Sequence, residues 1–208
     1  MEILYTFFGW LLGLLSQPIV SRIERHYKCK DIKIAIFSEL KNLLVRLAAT
    51  YSKIQTHLGV QDKESLRWLK TIYLKYRVEC PQNVLEAMDK VLQASDENFK
   101  TVANLLKAKE NAALGLKTYL LPFTDSVLDS LSIFDPKFQR DILEIRAQVS
   151  ILNEEIENAM FYFRLTFDPS ALSVNRNTIE VNLNNSYKLI ERQSKIVVDK
   201  IEKILEGN

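Results

Sequence analysis

Glycine and proline are scarce in this chain, five of each in 208 residues. So few backbone breakers leave room for long helices joined by a handful of turns. They also exclude phosphate cradles: neither GxxxxGK[ST] nor GxGxxG occurs. Histidine is rarer still. His26 and His57 are the only two, no HExxH is present, and neither lies three residues after a glutamate. The paired Glu-x-x-His arrangement of di-iron bundles is therefore missing. Two cysteines, Cys29 and Cys80, stand far apart and outside any CxxC, too few for a disulfide framework or a thiolate metal site. They read as unpaired thiols of a reducing compartment. No cofactor and no metal is implied. Neither is strong charge of one sign: the net charge is +2, which argues against nucleic acid as a partner.

What is present is apolar and periodic. Hydrophobic residues make up 47% of the chain and charged residues 26%, enough for a packed core and too ordered a mixture for global disorder. Ile3–Val20 runs 18 positions without a charge. As a helix it covers roughly 27 Å, close to the hydrocarbon thickness of a thin bilayer. Phe7, Phe8, Trp10, Leu11, Leu12, Leu14 and Leu15 are its apolar body. A cleaved signal peptide would need a basic start and a small-residue cleavage site, but only Glu2 precedes the run, and Pro18-Ile19-Val20-Ser21-Arg22 stands at its end. A buried soluble helix is the other competitor, because the length is borderline. Arg22, Arg25, Lys28, Lys30 and Lys33 then follow, against Glu24 and Asp31. An apolar run flanked on one side by basic residues reads as a membrane anchor, with the remainder of the chain in the cytoplasm. The same five side chains suit contact with anionic lipid headgroups. Gly9 and Gly13 form a GxxxG on one helix face and suit close helix–helix association.

Beyond the anchor the pattern is helical throughout. Ile32, Ile36, Leu40, Leu43, Leu47, Thr50 and Ile54 mark a helix over about 31–58, running on from the anchor and stopped by Gly59. Asp62 caps a shorter helix over 62–77. Cys80-Pro81 interrupts, and a long helix is expected over 82–117, with Val84, Met88, Val91, Phe99, Val102 and Leu106 buried. Gly115 and Pro122 end it, and a short helix follows over 124–131. Asp135-Pro136 opens the best-defined helix. Its seam of Phe138, Ile142, Ile145, Val149, Leu152, Ile156, Ala159 and Phe163 steps by four and three, like a coiled coil. Asp168-Pro169 ends it, and Leu183, Tyr187, Ile190, Ser194, Val197, Ile201 and Ile204 mark the last helix, 176–206. The expectation is an all-α chain: an N-terminal apolar membrane helix (1–21), a basic juxtamembrane segment (22–33) and an antiparallel four-helix-type bundle of long helices (34–208).

Outside the anchor, Arg67, Trp68, Lys70 and Tyr73 combine basic and aromatic side chains, the mixture of a membrane interface, and form a candidate second interfacial patch. Glu154, Glu155 and Glu157 read as a solvated face, and the aromatics of 160–167 as the thick end of a core. Together these features point to a membrane-anchored, non-enzymatic helical module whose partners are membrane lipids and either another protein or further copies of itself. An oligomerising, membrane-perturbing effector is the alternative. A lipid-directed enzyme or lipid-binding protein would instead need a deep bundle pocket with convergent polar groups.

Overall fold

In a computed structural model of the chain, the described residues are 2–76, 82–107 and 114–207, with side chains of 2–9, 11–19, 82 and 171–174 not described. Seven α-helices are placed: α1 (Glu2–Leu58), α2 (Lys63–Lys75), α3 (Gln82–Gln93), α4 (Asp96–Leu106), α5 (Pro122–Ser126), α6 (Pro136–Leu165) and α7 (Pro169–Glu206), with a 3₁₀ turn at Leu128–Ile133. No strand occurs among the described residues. The chain is an all-α helical bundle. It divides into two compact units, Met1–Glu39 with Leu121–Arg140, and Leu40–Leu120 with Asp141–Asn208.

Local chemistry explains most of the helix ends. α1 stops where Gly59 takes a φ of 72°, a left-handed conformation that costs a residue with a Cβ about 1 kcal/mol or more. Asp62 caps α2 by accepting a hydrogen bond from the Ser65 N–H at 2.7 Å, and the Asp62 N–H donates back to Ser65 Oγ at 3.3 Å, a reciprocal capping box. Asp135 Oδ1 accepts from the Phe138 N–H at 2.9 Å ahead of Pro136, and Asp168 Oδ1 accepts from the Ser170 N–H at 2.9 Å ahead of Pro169. Aspartate followed by proline thus opens both α6 and α7. Asp168-Pro169 does end the preceding helix, as its position implies, but it also starts the last one seven residues before the expected point. A non-helical Asn175, with φ −133°, interrupts α7 there.

The larger unit holds an up-and-down arrangement of four helical segments. Gln55 donates to Glu191 at 2.9 Å, and the His57 ring meets Tyr187 edge-on at 5.0 Å, so α1 and α7 run antiparallel. Gln193 donates to Gln148, and Lys200 pairs with Glu144; α6 and α7 are antiparallel as well. Lys195 lies over Trp68 and Lys75 reaches Glu202, so α2 runs with α7 and against α1. Leu44, Leu47, Ile54, Ile72, Leu152, Ile156, Ile190, Val197 and Ile201 fill the interior.

Two expectations need correction. The long helix over 82–117 is two short helices. Ser95 starts α4, its side chain accepting from the Asn98 N–H at 3.2 Å, and Ser-Asp side chains compete with helix hydrogen bonds in this way. Of the expected buried side only Phe99 is fully buried, while Val84 and Leu106 are exposed. The fourth bundle member is therefore α2, of 13 residues, and the connection from it to α6 is long.

In the smaller unit, α5 begins at Leu121-Pro122 with no side-chain cap of its own. The Glu39 carboxylate supplies one. Oε1 accepts from the Phe123 N–H, and Oε2 from the Thr124 N–H, both at 2.9 Å, and Oε2 also takes the Thr124 hydroxyl at 2.6 Å. Thr124 is fully buried. Nearby, Phe37 meets Phe138 edge-on at 5.9 Å, and Phe138 packs on Phe134 at 4.9 Å.

His57 carries a testable consequence. Burial, and then the charge of Lys53, hold its imidazole pKa below the usual 6.5. The unfolded chain therefore binds the proton more readily, and stability must fall as pH drops through and below about 6.5. Urea unfolding at pH 7.5 and pH 5.5 should show this loss, and His57→Gln should reduce it; an unchanged pH dependence in the variant would assign the loss to other groups.

Candidate functional site

Three surfaces hold the residues singled out by sequence. The first is the N-terminal half of α1. Trp10 is 61% exposed, and from Val20 to Asp31 every residue but the half-buried Cys29 is exposed, including Ile23 and Tyr27. Among the described side chains, the first buried one is Ile32. Arg22, Arg25, Lys28 and Lys30 are exposed on this stretch. Lys33 differs: it is half-buried, its ammonium 5.5 Å from the ring centres of both Phe37 and Phe138. An ammonium over two aromatic faces is held by their quadrupoles, so the protein's own aromatics engage it. The side chains of Phe7, Phe8, Leu11, Leu12, Leu14 and Leu15, and the surroundings of Gly9 and Gly13, are not among what is described, and Cys80 lies outside the described residues. Among the described residues no helix is long and apolar enough to cross a membrane.

The second surface is α2. Its apolar face, Leu66, Leu69 and Ile72, is buried. Arg67 is exposed, Trp68 and Tyr73 are half-buried, and Lys70 is ion-paired with Asp89. Trp68 stands edge-on to Tyr51 at 5.2 Å, with the Lys195 ammonium 3.8 Å from its ring centre; Lys195 also pairs with Asp199 at 2.8 Å. A cleft of about 230 Å³ opens here, lined by Tyr51, Asp62, Glu64, Ser65, Trp68 and Lys195. Burial, then the nearby Glu191 and Asp62 carboxylates, push the Tyr51 hydroxyl pKa up. The structure thus brings Trp68 together with Tyr51 and Lys195, residues from α1 and α7 that sequence reasoning missed. No local pattern could have joined them, because the contacts are made across the bundle. Farther along α2, Lys75 holds both Glu202 and Glu206, and these two carboxylates raise its pKa.

The third surface lies beside the aromatic run. Glu157, Met160, Phe161 and Arg164 of α6 and Leu116, Lys117 and Thr118 of an extended segment line an open cleft of about 690 Å³. The segment is clamped onto α6 by Asn153. Its Oδ1 accepts from the Tyr119 N–H and its Nδ2 donates to the Tyr119 carbonyl, both at 2.8 Å. Phe161 is 56% exposed at the rim, and Phe163 packs edge-on to Phe167 at 4.9 Å. Glu154 is exposed and Glu155 half-buried. Among the described residues no group of histidine, cysteine, aspartate and glutamate is disposed to hold a metal ion.

Compared with known proteins, the chain matches no protein-family model, no curated protein and no solved structure.

Proposed function

We propose that the chain is a membrane-anchored, non-enzymatic helical interaction module, held to the bilayer by the N-terminal half of α1 and presenting its bundle on the cytoplasmic side. One observation carries the reading. α1 is a single helix from Glu2 to Leu58, and on its described stretch before Ile32 the apolar Val20, Ile23 and Tyr27 remain exposed. Exposed apolar side chains that continue a longer apolar run favour a second apolar medium, and the uncharged run Ile3–Val20 suits a bilayer. Exposed Arg22, Arg25, Lys28 and Lys30 sit where headgroups would lie, each worth about 1 kcal/mol beside anionic lipid. The interaction part of the reading draws support from the packed apolar interior and from clefts that open at the surface of the bundle.

Flotation of the full chain with vesicles containing anionic lipid tests this. The intact protein should rise with the vesicles, and removal of residues 1–21 should leave it at the bottom of the gradient. Full-length protein that stays soluble would refute the anchor. Charge reversal at Arg22, Arg25, Lys28 and Lys30 should weaken flotation on anionic vesicles while leaving neutral ones less affected.

A further inference from the structure

The outer flank of the α6–α7 pair carries apolar side chains that the larger unit does not cover. On α6, Leu143 and Ile151 are 48% and 46% exposed, with exposed Ala147 between them; on α7, Leu189 and Ile196 are 48% and 42% exposed. They are spaced by four and by seven residues, so each set keeps one side of its helix. These sides lie away from the buried seams through Val149, Leu152 and Ile156 and through Ile190, Val197 and Ile201. The Gln148–Gln193 and Glu144–Lys200 contacts fix the antiparallel register of the two helices. In that register Ala147 lies level with Ile196, Ile151 with Leu189, and Glu154 with Lys188. The four apolar side chains therefore form one band, with exposed Glu154 on the α6 side and exposed Lys188 and Arg192 on the α7 side.

We infer that this flank is a docking surface for a second copy of the same chain. The charge layout selects that occupant. A two-fold axis parallel to the helices lays α6 of one copy on α7 of the other at the same level. Ile151 then faces Leu189 of the second copy, Ala147 faces Ile196, and the acidic Glu154 faces the basic Lys188 and Arg192, twice over by symmetry. The small Ala147 and Ser150 let the helices approach to the usual 8–10 Å, and the four helices complete an antiparallel set of the ordinary kind. The inference names a partner for the interaction module proposed above and rests on that reading.

Sedimentation equilibrium of the full chain in detergent micelles tests it, with Gly9→Ile and Gly13→Ile in the background so that association through the apolar helix is not counted. The chain is expected to dimerise at micromolar concentration. Ile151→Glu with Leu189→Glu should weaken the dimer by at least about 100-fold with an unchanged helical circular dichroism spectrum. Glu154→Lys should weaken it by roughly 10-fold, and Glu154→Lys with Lys188→Glu should recover most of that loss. A chain that stays monomeric, or a dimer indifferent to all of these changes, overturns the inference. A protein that floats with vesicles but remains monomeric fails only here, whereas a dimer that does not float fails only as an anchored protein.

Discussion

Replacing Leu152 by alanine is expected to remove about 2–5 kcal/mol of unfolding free energy. Leu152 is completely buried, one step along the seam from Val149 and Ile156. Three terms add at such a site. The lost methylenes forfeit their transfer energy, the neighbours lose dispersion contacts, and the rigid packing of helical neighbours keeps the cavity from collapsing. At roughly 2–4 °C per kcal/mol for a domain of this size, the midpoint of thermal unfolding should fall by about 5–20 °C. Leu143→Ala on the same helix is the control. Leu143 is 48% exposed, and its truncation should cost well under 1 kcal/mol. Equal losses at the two positions would mean that the α6 seam is not the structural centre of the larger unit.

The second large effect belongs to Glu39. Glu39→Ala is expected to cost about 2–4 kcal/mol, because it strands the N–H groups of Phe123 and Thr124 and the hydroxyl of a fully buried Thr124. The instructive comparison is Glu39→Gln. Glutamine keeps the size but has one acceptor oxygen where the carboxylate uses two, and its amide N–H₂ would be pushed against a backbone donor. Glutamine should therefore rescue less than half of the loss. Urea unfolding gives the total, and amide exchange at Phe123 and Thr124 gives the location. Protection in Glu39→Gln equal to that of the native protein would show that the carboxylate does not cap α5.

How much of this was legible in the sequence depends on the reach of each signal. α6 and its seam could be read because everything that specifies them lies within a few residues: Asp135 as cap, Pro136 at the first turn, and an uninterrupted apolar period. The same holds for the stop at Gly59 and the cap at Asp62. The division between α3 and α4 escaped because Ala94-Ser95-Asp96 contains neither glycine nor proline, and the apolar period of Val91 and Phe99 passes through it. The Glu39 cap is set by residues 84 and 85 positions away, and the Lys195–Trp68 stack joins α7 to α2. Side chains so distant in sequence leave no local trace. The candidate surfaces divide in the same way. The basic run after the apolar helix is contiguous and could be read at once. The membership of the α2 patch could not, because the partners of Lys70 and Trp68 come from other helices.

α1 carries the apolar run and the buried Ile32 and Ile36 on one helix. Successive residues of a helix are turned by about 100°, so the bearing of Trp10 and Val20 about the helix axis is locked to that of Ile32 and Ile36, like two marks on a single screw. One residue added between them would swing the side that bears Trp10 and Val20 about a quarter turn, whereas seven would restore it nearly to its original heading.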